Sequence, residues 1–101
     1  MNYSPRFAFG AAVAVARARW YLRGAKSLGP KVRVWGRPVV KVRGTLIVRD
    51  RARIVSTIAT TELVADEGGT LEIGVSAFIN YGCSISAGKL VRIGARCNIG
   101  R

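Results

Sequence analysis

The chain has 101 residues, a formal net charge of +12 and a composition that is half hydrophobic, which indicates one small folded domain and excludes a disordered or collagen-like segment. Its two cysteines are too few for a disulfide framework and lack metal-ligand spacing, and the absence of histidine removes the commonest general base and zinc ligand. We therefore expect no metal cofactor and interpret Cys83 and Cys97 as buried packing residues.

The basic residues are concentrated in the first half of the chain. Residues 1–53 contain 13 Lys and Arg against the single acid Asp50, whereas residues 54–101 contain four basic and four acidic residues. Two interpretations follow, of which the favoured one is an ordinary solvated face and the other a surface that meets anionic partners such as lipid headgroups, acidic saccharides or nucleic acid. No nucleic-acid-binding module is recognisable, so a specific nucleic acid partner is not expected.

Residues 6–23 are predicted to form an N-terminal helix, because they are rich in Ala, lack Pro and end in a basic turn before Gly24. The apolar run at residues 7–16 is about half of the length that a bilayer span requires. We therefore do not expect this helix to cross a membrane.

Three hypotheses for this helix follow from its composition. The favoured one is a helix that packs against the end of the next domain. A second is an amphipathic helix on an anionic membrane, with Phe7, Phe9, Trp20 and Tyr21 toward lipid. A third is a secretory signal, suggested by Ala-x-Ala at residues 16–18. The first two predict a cytoplasmic protein, which in the second is peripheral at the inner face of the membrane.

After a short linker at residues 24–30, aliphatic residues recur at intervals of six. Ile93 and Ile99 resume this spacing after a two-residue shift. The two main series are Val34, Val40 and Leu46, and then Ile73, Ile79, Ile85 and Val91. A period of six is typical of hexapeptide β-helix repeats. The sequence thus predicts two parts, a basic helix and linker at residues 1–30 and an incomplete parallel β-helix at residues 31–101.

Small residues support the same prediction. Ala77, Cys83 and Cys97 each follow an aliphatic residue by four positions, as expected for a narrow solenoid with one large and one small inward side chain per face. Pro38 occupies one such small position, and the coils before residue 54 are predicted to be irregular. Residues 60–70 combine acids with glycines and are predicted to form a loop or a distorted corner. The acids in and beside this segment, including Glu72, are expected to face water.

Residues 71–100, LEIGVSAFINYGCSISAGKLVRIGARCNIG, resemble the left-handed β-helix acyltransferases with hexapeptide repeats, especially those that acetylate sugars or modify polysaccharides. The segments RARWYLRG and VRVWGRPVVKVRGTLIV resemble the N-terminal coils of these enzymes. The resemblance implies a left-handed β-helix, a homotrimer, acetyl-CoA as acyl donor, and a saccharide or small-molecule acceptor.

The resemblance also implies site residues. Phe78-Ile79-Asn80 matches a motif whose Asn faces the acceptor, so Asn80 is the predicted substrate-binding residue, although Asn also suits a solenoid corner. The family places an acid seven positions later, where this chain has Ala87. Its general base is a histidine from a later coil, which we expect beyond Arg101, so this chain alone is expected to be inactive. The alternative hypothesis is a non-catalytic solenoid scaffold that binds an anionic surface through its basic half.

Overall fold

The computed structural model describes residues 5–100, with side chains from residue 12 onward, as a helix followed by a parallel β-solenoid. The elements are α1 (Pro5–Tyr21), β1 (Ser27–Leu28), β2 (Arg33–Gly36), β3 (Val39–Val42), β4 (Thr45–Val48), β5 (Arg53–Ser56), β6 (Glu62–Ala65), β7 (Thr70–Ile73), β8 (Phe78–Ile79), β9 (Ser84–Ala87), β10 (Leu90–Ile93) and β11 (Asn98–Ile99). The first sheet has the order β1-β4-β7-β10, the second β2-β5-β8-β11 and the third β3-β6-β9. The predicted all-β parallel β-helix with an N-terminal helix is confirmed.

The six-residue spacing places inward aliphatic side chains on successive sheets. Val34 lies on the second sheet, Val40 on the third and Leu46 on the first, and the later series repeats this order. Residues of this set that are buried include Val34, Leu46, Ile54, Ile73 and Ile79. The two-residue shift before Ile93 arises because the corner from the first to the second sheet, residues 94–97 after β10, has four residues, whereas the corner before β10 has two. Each six-residue interval therefore takes the chain from one sheet to the next, which is one side of the solenoid and not a full coil.

Residues of successive coils stack in register, which builds the core as columns of similar side chains. Ile54 pairs with Val34 below it and with Ile79 above it, and Ile79 pairs with Ile99. In the second sheet, Val34 of β2 pairs with Ile54 of β5, which lies 20 residues later in the chain. Ile54 pairs with Ile79 of β8, which lies 25 residues later. The extra residues lie at the corners, in particular at residues 57–60 and 66–69.

Both cysteines occupy the small inward position, but neither is fully buried, so the prediction of buried thiols is wrong. Backbone hydrogen bonds align the residues of two columns, Val32, Ala52, Ala77 and Cys97 in one and Pro38, Thr61 and Cys83 in the other. Cys83 is half-buried and Cys97 is exposed. Each is the last member of its column in the described part of the chain, and no coil packs above it there.

Two further expectations are corrected by the strands. Residues 60–70 do not form one loop, because they contain strand β6, whose Leu63 and Ala65 point into the core. The acids around β6 concealed this alternation. The coils before residue 54 are regular, since β2 and β3 pair in register with β5 and β6 over four residues each.

Helix α1 packs against the first coil, as favoured from the sequence. Ala14, Ala18 and Leu22 are spaced four apart, lie on one face of the helical segment and are buried, whereas Trp20 is 63% exposed. The side chain of Arg17 donates hydrogen bonds to the carbonyl oxygen of Gly36 at the end of β2. In the described part of the chain, no helix is both long and apolar enough to cross a membrane.

The solenoid begins inside the segment predicted to be a linker, because β1 pairs with β4. Ser27 is the first residue of this pairing, four positions before the predicted start of the domain. The orientation of Phe7 and Phe9 toward lipid concerns side chains outside the described ones.

Candidate functional site

Asn80 lies directly after strand β8, at the corner where the chain passes from the second sheet to the third. Its backbone N–H donates to the carbonyl oxygen of Ile99 on the next coil at 2.8 Å. Its side-chain oxygen Oδ1 accepts a hydrogen bond from the backbone N–H of Tyr81 at 2.8 Å. The side chain is half-buried, and its hydrogen bond to Tyr81 holds it in a local turn at the surface of the corner.

Thr61 supports this corner from inside the solenoid. It is completely buried, and its hydroxyl oxygen lies 2.7 Å from the carbonyl oxygen of Val55 and 3.1 Å from that of Asn80, so its single proton is shared between these two acceptors. Its backbone N–H donates to the Oγ of Ser56 at 2.9 Å. Sequence reasoning did not single out Thr61. The available signal was its position, one residue before a strand with alternating apolar residues, in step with the small residue Cys83.

The aromatic residue of the motif carries a cation on its outer face. Arg53 and Phe78 are register partners on β5 and β8, and the guanidinium of Arg53 lies 4.9 Å from the centroid of the phenyl ring. This distance is within the range of a cation–π interaction. Strand β8, which directly precedes Asn80, therefore presents a positively charged, aromatic outer surface.

A corner loop at residues 57–60 lies beside the turn that holds Asn80. The carbonyl oxygen of Ala59 accepts a hydrogen bond from the N–H of Gly82 at 3.2 Å. Ile58, at the tip of this loop, is 78% exposed. The loop forms one wall of the corner and brings an apolar side chain to its rim.

Ala87, the position at which the resembled enzymes place an acid, faces the interior. It is completely buried on β9 and pairs with Ala65 of β6. A carboxylate here would be desolvated in the core. In this chain the corner therefore receives no acid from that position.

The acids near residues 60–70 were expected to lie in a loop. Glu72 lies instead on strand β7 of the first sheet. Its two carboxylate oxygens each accept from an arginine at 2.7 Å, one from Arg49 and one from Arg92. These hydrogen bonds, with that of Arg49 the stronger influence, lower the pKa of Glu72 from its ordinary value. The carboxylate is thus committed to an ion pair on another sheet from Asn80.

The corner can position a polar group but has no evident general base. Asn80 offers an amide group and Phe78 with Arg53 a charged aromatic surface. Histidine is absent from the sequence, and residues 5–100, as far as their side chains are described, contain no cluster of three potential metal ligands. The arrangement is that of a binding surface.

No family model, characterised protein or solved structure matches the chain. The resemblance to hexapeptide-repeat acyltransferases therefore stays a prediction from the motifs of residues 71–100.

Proposed function

We propose that the chain is the N-terminal part of an acyltransferase that moves an acetyl or other acyl group from coenzyme A to a hydroxyl or amine of a saccharide or small molecule. The observation that carries this proposal is the parallel β-solenoid in which Phe78 and Ile79 form strand β8 and Asn80 lies at the corner that follows. Residues 71–100 supply the motif by which the chain resembles these enzymes, and the fold agrees with that resemblance.

In the proposed reaction, the oxygen or nitrogen of the acceptor attacks the thioester carbonyl carbon and the thiolate of coenzyme A leaves. A sugar hydroxyl is a weak nucleophile, so a general base must take its proton. We assign this base to a histidine of a coil beyond Arg101. The role of Asn80 in this scheme is to hold the acceptor hydroxyl with its side-chain amide.

The proposal includes a homotrimer with the acyl donor in the groove between subunits, and a cytoplasmic location. These parts rest on the resemblance alone. A peripheral membrane contact through α1 would have to use the outer face of the helix, because Ala14, Ala18 and Leu22 are buried against the solenoid. On that outer face, Trp20 lies beneath the guanidinium of Arg23 at 4.2 Å.

The first test is the release of free thiol from acetyl-CoA by this chain and by a form extended along its gene, with a panel of sugar acceptors. We expect turnover in the extended form alone. Within that form, Asn80→Asp keeps the oxygen that accepts from Tyr81 but removes the amide donor. Loss of one hydrogen bond to a bound acceptor should lower kcat/KM for the acceptor about 10-fold, with the KM for acetyl-CoA unchanged.

Asn98→Asp is the matched control, because Asn98 is an exposed residue on β11 and the change introduces the same charge. Equal acceptor kinetics for both variants would remove Asn80 from the site. An extended form that binds acetyl-CoA but shows no turnover with any acceptor would contradict the proposed reaction.

A second function, a non-catalytic scaffold that binds an anionic surface, is favoured by the distribution of charge. The described residues of the first half expose basic side chains on α1, on the first two coils and at their corners, among them Arg19, Lys31, Arg43 and Arg51. Absence of both acetyl-CoA binding and turnover from the extended form would favour this function over the enzyme.

A further inference from the structure

One corner of the solenoid carries a column of four residues, three of them Lys or Arg, on an uncommon backbone conformation. Lys31, Arg51, Ser76 and Arg96 all have positive φ angles, between 57° and 62°. They occupy equivalent positions between the first and second sheets, and Arg51, Ser76 and Arg96 each donate their backbone N–H to a carbonyl oxygen of the coil before, at 2.8 to 3.1 Å. Glycine or Asn adopts this conformation at lower cost than Lys or Arg.

The strands that follow this corner bring two more arginines together. Arg33 on β2 and Arg53 on β5 are direct register partners in a parallel pair. Neighbouring strands lie about 4.8 Å apart, and like charges at directly opposed positions destabilise a sheet. Lys31, Arg33, Arg51, Arg53 and Ser76 line one cleft with a volume of about 240 Å³. We name this feature the basic cleft.

The positive charge of the basic cleft is largely uncompensated within the described residues. Asp50 accepts a long, 3.4 Å hydrogen bond from Arg51 and is the single acid among residues 1–53. One of four cations is therefore paired there. The Nε of Arg33 is buried and has no hydrogen-bond partner. The same holds for the Oδ1 of Asp50. A buried, unpaired guanidinium N–H is costly, so the charge of Arg33 is poorly compensated by the residues around it.

We propose that the basic cleft is a binding site for a phosphoryl group, either a phosphate monoester or a diphosphate. Three cations beyond the Asp50–Arg51 pair match a group with two or more negative charges. The guanidinium fork of Arg33 and Arg53 suits the tetrahedral oxygens of phosphate, and the stacking of Arg53 on Phe78 fixes its orientation. The Ser76 hydroxyl adds a donor at the rim of the cleft.

The size of the cleft limits what it holds. A volume of about 240 Å³ is below that of typical sites for drug-sized ligands, so the cleft takes a headgroup rather than an entire large molecule. The phosphoryl group can belong to a soluble compound or to a lipid headgroup. A second cleft, lined by Arg19 and Lys31 among others, lies between α1 and the first coil and shares Lys31 with the first.

The test measures binding of inorganic pyrophosphate to the full chain, by calorimetry and by the shift of its thermal unfolding midpoint, at physiological salt. Arg33→Gln/Arg53→Gln removes the opposed pair, and Lys41→Gln/Arg43→Gln removes the same charge from exposed residues of β3 and its following corner. We expect pyrophosphate to bind the native chain and the control variant, and to bind the Arg33/Arg53 variant at least about tenfold more weakly.

Folding of the Arg33/Arg53 variant is checked without ligand, where relief of the like-charge contact should keep its unfolding midpoint at or above that of the native chain. Equal pyrophosphate affinities for the two variants, or no binding by the native chain, would overturn the proposal. These readouts need no acyl transfer, so the inference does not rest on the proposed enzyme and fails separately from it.

Vesicles of phosphatidylcholine with and without phosphatidic acid distinguish the source of the phosphoryl group. If Arg33→Gln/Arg53→Gln abolishes both pyrophosphate binding and sedimentation with phosphatidic acid, the cleft binds a lipid headgroup. If it abolishes pyrophosphate binding and leaves vesicle sedimentation unchanged, the cleft binds a soluble phosphate compound. Either result supports a phosphoryl site.

Discussion

Single residues at the corners determine how closely successive coils can stack. Gly36 has a φ of +82°, and a Cβ at this position would lie 2.2 Å from the carbonyl oxygen of Ser56 on the next coil. Gly68 has a similar φ of +77°, but a Cβ there would meet no atom within 4 Å. The two positions therefore separate the cost of backbone conformation from the cost of a steric clash.

We predict that Gly36→Ala destabilises the fold more than Gly68→Ala does. Gly68→Ala should cost about 1 kcal/mol, since Ala disfavours the left-handed region. Gly36→Ala should cost about 1–3 kcal/mol more, because β2 and β5 must separate to admit the methyl group. Urea unfolding of both variants provides the measurement. Equal free energies of unfolding would mean that the coils are not packed as tightly as described.

Thr61 and Asn80 show how residues of different coils share one corner. The hydroxyl of Thr61 lies within hydrogen-bond distance of the carbonyl oxygen of Val55 on its own coil and of Asn80 on the next one, and its single proton is shared between them. Asn80 in turn holds the N–H of Tyr81. Hydrogen bonds thus tie the candidate acceptor corner to residues of two coils.

At the scale of elements, two ion pairs that share the carboxylate of Glu72 link the strands of the first sheet on its outer surface. Glu72 on β7 contacts Arg92 on the neighbouring β10 and Arg49, which follows β4 on the other side. Because the side chains of Arg49 and Arg92 are 48% and 67% exposed, the interaction is screened by water and salt. It nevertheless links three successive coils through one carboxylate.

We predict a pH-dependent stability contribution from Glu72. Its pKa is lowered in the folded state, so the contribution is present above the ordinary glutamate value of about 4.5 and is lost as the pH falls through the lower folded-state pKa. Glu72→Gln should therefore unfold at a lower temperature than the native chain at pH 7, and the difference should disappear at low pH. Glu67→Gln, at an exposed corner residue, is the control. A difference that does not change with pH would contradict this account.

Helix α1 covers the end of the solenoid and belongs to the same core. Leu22, which follows α1, is buried together with Ala18 against the residues of the first coil, including Val32 and Val34. The first coil would otherwise expose this apolar surface to water.

We predict that Leu22→Ala costs about 2–5 kcal/mol of stability, because it removes a buried side chain and leaves a cavity. Trp20→Ala removes a larger side chain, but one that is 63% exposed, and should cost less than about 1 kcal/mol. Thermal unfolding followed by circular dichroism compares the two. A larger effect for Trp20 would indicate that the helix packs with its other face.

At the scale of the whole molecule, the last coil of the described residues has strands in the first and second sheets but not in the third. Strand β9 is the last strand of the third sheet, and β10 and β11 are the last of the first and second sheets. Terminal strands of this kind present unpaired N–H and C=O groups, and Leu90 on β10 is 58% exposed. The net charge of +12 opposes contact between two such ends.

We predict that the isolated 101-residue chain self-associates at micromolar concentration and that added salt strengthens the association. Salt screens the repulsion between the basic chains but does not weaken edge-strand pairing. Sedimentation velocity over a range of protein and salt concentrations provides the measurement. A single monomeric species under all conditions would contradict the prediction.

The spacing of aliphatic residues was enough to predict the solenoid, because a six-residue period that returns an aliphatic side chain to the inside of each successive sheet is a regular local pattern of the chain. The helix at residues 5–21 followed in the same way from composition and its basic last turn. The corner position of Asn80 agrees with the hexad in which it lies. Local pattern thus determined the class of fold and the location of the candidate acceptor corner.

The pairing of distant residues was not accessible from spacing. Arg33 opposes Arg53 after 20 residues, but Arg53 opposes Phe78 after 25, since residues 57–60 and 66–69 lengthen one coil at its corners. These insertions hide strand β6 and make Glu72 look like a loop residue. Register across coils depends on the summed lengths of three sides and three corners, so the basic cleft and the Glu72 ion pair emerge from the packed coils and not from any one repeat.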